Sequence, residues 1–280
     1  MSARMIEGAL RALRALRVTR SLRVLVAGAA LSAASSASGE RLDAAIAAAP
    51  AGAWIAYEVE LVPGDGSPCC FDGGDGRPAR RGCALEGRNF SFGTSDRHVR
   101  TSDVLRVFLR KDAGGVDRVR AFGGDCPVDP GSAVVRRVEG IQAADSVAVL
   151  ARMLGAGGGR SEKLAAIAMH ADDAAGAELA RLAGSGGNSA RGDALFWLAQ
   201  RGDARAEQAI RAALAPDVPH AVQKKAVFAL SQLPEAKSVP ALREIVESDR
   251  PRSIRKEALF WLAQHDSDEA FAVFDRIFAR

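Results

Sequence analysis

Three stretches near the C-terminus repeat one pattern: Ala194-Leu195-Phe196-Trp197-Leu198-Ala199-Gln200, Ala226-Val227-Phe228-Ala229-Leu230-Ser231-Gln232 and Ala258-Leu259-Phe260-Trp261-Leu262-Ala263-Gln264. Each begins 32 residues after the one before. Self-similarity at such a period is the mark of a helical solenoid: one helix pair cannot bury its own apolar stripe and needs neighbours to do so. The repeat therefore constrains architecture strongly. It says little about chemistry, because a solenoid makes a surface and does not name what lies on it.

Within each unit the roles are legible. The leading helix presents Ala194, Leu195 and Leu198, then Ala226, Val227 and Leu230, then Ala258, Leu259 and Leu262. The second helix presents Ile210 and Leu214, Leu242 and Val246, then Phe274 and Phe278. Pro240 is expected in the first turn of its helix, where the missing N–H costs little. Regular units are expected over 190–219, 222–251 and 254–280. A degenerate unit precedes them, with helices over 163–170 and 177–183, and a helix over 145–154 bridges into it. Alanine dominates the apolar residues and aromatics are only 5% of the chain, which suits closely packed helices.

Upstream the period changes to two. In Trp54–Leu61, Ile55, Tyr57, Val59 and Leu61 share one face while Glu58 and Glu60 take the other, a half-buried strand. Leu105, Val107 and Leu109 alternate with Arg106, Phe108 and Arg110, the chain turns at Asp112-Ala113-Gly114-Gly115, and residues 116–122 return as a hairpin. The Gly-, Pro- and Asp-rich stretch 64–82 reads as loop, and its segment 72–76 as a plain turn and not a calcium loop, since the closing Glu is missing.

All four cysteines, Cys69, Cys70, Cys83 and Cys126, fall in this β region. An even count in a loop-rich stretch reads as two disulfides. Adjacent Cys69 and Cys70 are too close to bridge one another without strain. The pairing Cys70–Cys83 with Cys69–Cys126 is preferred, and the swap, Cys69–Cys83 with Cys70–Cys126, stays open. A four-thiolate zinc site would need C-x2-C pairs, which are absent.

The N-terminus reads as an export signal. An arginine-rich start leads to Val24–Leu31, then to small residues suited to cleavage near Ala37. The apolar run is too short to span a bilayer. Six arginines against Glu7 give this leader +5, so the remainder of a chain with net charge +4 carries −1. The basic pI therefore makes no case for nucleic acid. The expected location is periplasmic or secreted, with no membrane insertion after signal removal.

The helix–turn–helix units with their Ala/Leu pattern resemble HEAT-like repeats. The Phe-Trp-Leu-Ala-Gln endings and Ala166-Ile167-Ala168-Met169-His170 resemble a group of secreted bacterial HEAT-repeat proteins that carries no assigned chemistry. The resemblance covers about 141–280. It implies a short right-handed α-solenoid of HEAT-like helix pairs over 141–280; the chain's own patterns place a signal peptide over 1–38 and a small disulfide-bonded β domain over 39–140 before it, an α+β chain.

HEAT-like enzymes supply the alternative reading, an exported lyase- or hydroxylase-type enzyme or accessory with a site between the two domains. The hydroxylase type needs paired His-Glu motifs on facing helices. None of His98, His170, His220 and His265 is followed by Glu. No nucleophile elbow, P-loop or dinucleotide fingerprint occurs either. No catalytic residue, cofactor or metal is expected. The primary expectation is an exported, non-catalytic binding or scaffold protein with a protein partner.

Two surfaces are candidates for that partner. The second helices should line the inner surface, where Arg211, Arg243, Glu244, Asp275 and Arg276 carry mixed sign, unlike a phosphate-tracking stripe. Phe271 on the last helix is expected to leave apolar surface over, for a partner or for a homodimer through that helix. A polar column of Gln200, Gln232 and Gln264, with His170 in the degenerate unit, is expected to bond carbonyls at helix ends.

Overall fold

A computed structural model of the chain describes residues 37–71, 82–86, 91–93, 99–155 and 159–278. The expected leader up to residue 36 and the loop segment 72–76 lie outside the described residues. The elements in chain order are a helix α1 (37–48), eight strands and nine further helices. The strands are β1 (Trp54–Glu60), β2 (Cys69–Phe71), β3 (Cys83–Ala84), β4 (Ser91–Gly93), β5 (Val104–Asp112), β6 (Gly115–Gly123), β7 (Val128–Asp129) and β8 (Val135–Arg137). The helices are α2 (Ala143–Arg152), α3 (Arg160–Ala168), α4 (Asp173–Ser185), α5 (Asn188–Gln200), α6 (Ala206–Ala213), α7 (His220–Ser231), α8 (Glu235–Glu247), α9 (Arg252–Leu262) and α10 (Asp268–Phe278). The fold is α+β, as the two sequence periods imply.

Four strands form the main sheet in the order β6-β5-β1-β8, antiparallel except for the β1–β8 pair. Gly115, at φ +130°, lets the β5–β6 hairpin close. The period-two pattern puts Ile55, Tyr57, Val59, Leu105, Val107, Leu109, Val119 and Ala121 on one buried face. Trp54, Ala56, Phe108 and Phe122 go to the other, where they pack with Leu85 and all four cysteines in a second, smaller cluster. The short ribbons β2–β4 and β3–β7 sit on that side. Cys69 and Cys126 lie at disulfide distance, with Cα atoms 5.5 Å apart, and so do Cys70 and Cys83 at 5.2 Å. This is the preferred pairing of the two considered. Asp125 lies near the Cys69 and Cys126 sulfurs, but those sulfurs pair with each other and its carboxylate accepts from Ser67 and Thr101.

The first sheet face meets helices. Leu42 and Ile46 of α1, Val147 and Leu150 of α2, and Leu164 and Ile167 of α3 all join its core. That same core continues through Leu179, Leu195, Ile210, Val227, Leu242, Leu262 and Val273. Residue 140 therefore marks a change of period and not a gap in packing. The end of β1 is stitched to the α3–α4 turn: Val62 N donates to Met169 O (2.8 Å) and Ala171 N to Glu60 O (3.0 Å). Helix α1 was not visible as an element in the sequence. Its Ser38 hydroxyl accepts from Gln142 N (3.0 Å) and ties the start of α2 to it.

Beyond α3 the chain is two layers. The leading helices α3, α5, α7 and α9 pack in succession, as α4 does on α6 and α10 on α8. Eight of the nine apolar positions expected in leading helices are buried, and Leu259 is half-buried. Helix α8 begins at Glu235, so Pro240 lies inside it and not in its first turn. Among the described residues no helix is long and apolar enough to cross a membrane.

Candidate functional site

Helix α6 is only 8 residues long, against 13 for both α4 and α8. Its short body opens a groove between α6 and α8 on the layer of second helices. The groove comprises two adjoining hollows of about 290 and 450 Å³. Ile210, Leu214, Leu230, Leu233 and Ile245 supply apolar walls. Charged side chains of both signs line the rim: Arg211, Lys237, Arg243 and Arg250 against Glu207, Glu244 and Glu247.

Most of these charges are engaged. Lys237 bonds Glu207 and holds that carboxyl below its ordinary range. Arg243 pairs with Glu269 at 3.1 Å, Arg276 with Glu247 at 3.4 Å, and Arg250 donates to the Leu214 carbonyl. Arg211 and Glu244 are both exposed and make no ion pair among the described residues. Of the expected surface set, the fold thus brings Arg211, Arg243 and Glu244 together in one groove. Asp275 and Arg276 lie on α10 outside its lining, Arg276 touching it only through Glu247.

On α10 the buried stripe is Ala270 and Val273, with Phe274 half-buried. Val273 packs into the core, and Phe271 is left 54% exposed. Apolar surface is left over there, at Phe271.

Among the described residues the polar column differs from the expected bonds to helix-end carbonyls: Gln232 Nε2 donates to Ser231 Oγ at 3.0 Å. Gln200 Nε2 donates to Gln232 Oε1 at 2.9 Å, linking two units 32 residues apart, and Gln264 Nε2 reaches back to the Phe260 carbonyl at 3.4 Å. His170 does not belong to it. Helices α3 and α5 are capped by Met169 and Arg201, which makes Ala168 the equivalent of Gln200. His170 falls two residues further on and turns inward, completely buried. Its Nδ1 lies 2.7 Å from Ala166 O and its Nε2 2.8 Å from Ser146 Oγ, which in turn lies 2.7 Å from the Tyr57 hydroxyl. Burial lowers the His170 pKa to about 4 and raises that of Tyr57. The relay joins sheet, α2 and α3 with no solvent access, so it is a structural tie. Arg201 closes the same corner by donating to Ala168 O (2.8 Å) and His170 O (2.9 Å) while facing Asp203.

The opposite layer carries a ladder of rings that the repeat alone did not reveal. Phe196 stacks on Phe228 with centroids 5.6 Å apart, and Phe228 meets Trp261 at 4.7 Å. The step moves from the third position of the motif to the fourth, and Phe260 is left 56% exposed.

Residues 177–263, from within α4 past the end of α9, match the family of HEAT repeats. That matched stretch is similar to HEAT repeats, and the helical stack that holds it is preceded by a small β region with two cysteine pairs at disulfide distance. No curated protein matches the chain. HEAT repeats generally mediate protein–protein interaction and are typically non-catalytic, so a protein partner is the general expectation for this solenoid.

Proposed function

We propose that the chain is an exported, non-catalytic scaffold whose solenoid binds a protein segment in the groove between α6 and α8. The observation that carries this reading is the groove itself. It offers apolar walls for anchoring side chains, and two exposed charges of opposite sign, Arg211 and Glu244, that make no ion pair among the described residues. Apolar anchors with a polar rim are how protein surfaces combine affinity with register. The mixed sign favours a peptide with both charges over nucleic acid. A catalytic site between sheet and solenoid finds no support in the packing, since Tyr57, Ser146 and His170 fill that junction.

The test is comparative capture on the immobilised chain from an envelope fraction. A partner retained by the wild type and lost with Arg211→Glu, then recovered by a compensating acidic-to-basic change in that partner, supports the groove. Retention undiminished by Arg211→Glu and Glu244→Arg together overturns it. Export rests on the arginine-rich leader and its small-residue boundary. Intact mass of the native protein should show a start near residue 38 and no alkylatable thiol before reduction; a retained leader contradicts export.

A further inference from the structure

The outer face of the sheet holds a cavity of about 460 Å³, on the opposite side from the solenoid. Ala56 creates it. At the centre of β1, between Trp54 and Glu58, a methyl group stands where its neighbours are large. Leu85, Phe108, Val128 and Val135 form apolar walls around the space. Its volume lies in the range of about 300–1,000 Å³ usual for small-molecule sites.

Four charged side chains line the cavity: Arg106, Arg137, Glu58 and Glu139. Arg106 stands directly across from Glu58 in the β1–β5 register, a position from which an ion pair would be easy. It does not form. The Arg106 guanidinium is drawn away to the carbonyls of Gly123 (3.2 Å) and Cys126, and Cys126 is fixed by its partner Cys69. Its Nε is buried without a hydrogen-bond partner among the described residues. Glu58, Glu139 and Arg137 make no ion pair among the described residues. Glu58, Glu139 and Arg137 thus bring charges of both signs, without ion pairs among the described residues, to the edge of one hollow with apolar walls.

The ligand complementary to that arrangement is itself doubly charged and apolar between its charges. Glu58 lies two residues along β1 from Ala56, which faces Arg137 on β8. From strand spacing and rise, the backbones carrying Glu58 and Arg137 are about 8 Å apart. Two extended residues span about 7 Å. We infer that the cavity is a binding site for a zwitterionic apolar dipeptide, its ammonium at Glu58 and Glu139, its carboxylate at Arg137, and its side chains against Phe108, Leu85 and Val128. Charge-assisted hydrogen bonds at both ends supply orientation, and the walls supply affinity. This site is separate from the solenoid groove, and neither reading depends on the other.

Calorimetric titration of the full oxidised chain with leucyl-phenylalanine tests it. The free dipeptide should bind, and N-acetylation or C-amidation should each weaken binding by about tenfold or more, the cost of leaving a charged group unpaired. Arg137→Gln should abolish the penalty for amidation while keeping that for acetylation. Glu58→Gln with Glu139→Gln should do the reverse. These side chains are exposed, so the variants should stay folded. Absence of binding by the free dipeptide overturns the inference. Equal binding of free and blocked dipeptides, or penalties unmoved by the variants, overturns it as well.

Discussion

At the scale of single residues, the most consequential group is His170. Its ring is wholly buried between Ala166 O and Ser146 Oγ, and burial holds its pKa near 4, well under the ordinary value of 6.5. The folded state therefore keeps the imidazole neutral where the unfolded chain binds a proton. Stability from this group is fully present above about pH 6.5, is lost as pH falls from there towards 4, and levels off below. The loss over that window is on the order of 3 kcal/mol. Denaturant titrations between pH 7.5 and 4 on wild type and His170→Leu should show it. The variant should start less stable, having removed the imidazole's bonds to Ser146 and to the Ala166 carbonyl, yet fall less steeply with acid. Parallel decline of the two would mean that His170 does not titrate as the buried geometry requires. Nothing in the sequence marked this role, because the partners Tyr57 and Ser146 are distant along the chain and meet only when sheet and helices dock.

At the scale of elements, legibility followed periodicity. The leading helices α5, α7 and α9 were readable because their burial recurs every 32 residues, so each unit checks the next. The sheet strands β1, β5 and β6 were readable because one face is solidly apolar. Where the check lapses, the reading slips. Helix α10 has no following unit, and its five large apolar residues in eight positions admit more than one stripe; packing chose Ala270 and Val273 and left Phe271 outside. Helix α1 carries Leu42, Ile46 and Ala49 on one face but follows an export-like leader, so no neighbouring repeat announced it. The groove was half legible. Mixed charge on second helices could be read from sequence, whereas the shortness of α6 that opens the space could not. The sheet cavity was missed because it depends on a small residue, Ala56, whose alternation with Trp54 and Glu58 looks ordinary in a strand.

For the whole molecule, the question is whether sheet and solenoid are two folding units or one. A chain with a β region to residue 140 and helices after it would unfold in two steps if each part had its own core. Here α3 packs on β6, α1 and α2 cover the sheet, and one apolar cluster runs from Leu42 to Val273. Among the described residues, the second cluster, around the cysteines, is built of Trp54, Ala56, Leu85, Phe108 and Phe122 besides the four sulfur residues, with Val128, Ala133 and Val135 partly buried against it, a small core to sustain the sheet alone. Loss of a sheet residue should therefore be felt by the helices. Leu109 is fully buried on the helix-facing side of β5, and Leu109→Ala should cost about 2–5 kcal/mol. In a background with Trp197→Phe and Trp261→Phe, fluorescence of Trp54 reports the sheet while far-ultraviolet circular dichroism reports the helices. One shared core requires both signals to move to the same lower midpoint when Leu109 is truncated. A helical midpoint that stays put while the Trp54 signal shifts would show the solenoid to be independent. In that case the stitches from β1 to the α3–α4 turn and the Tyr57–Ser146–His170 tie would be contacts between two domains, not parts of one.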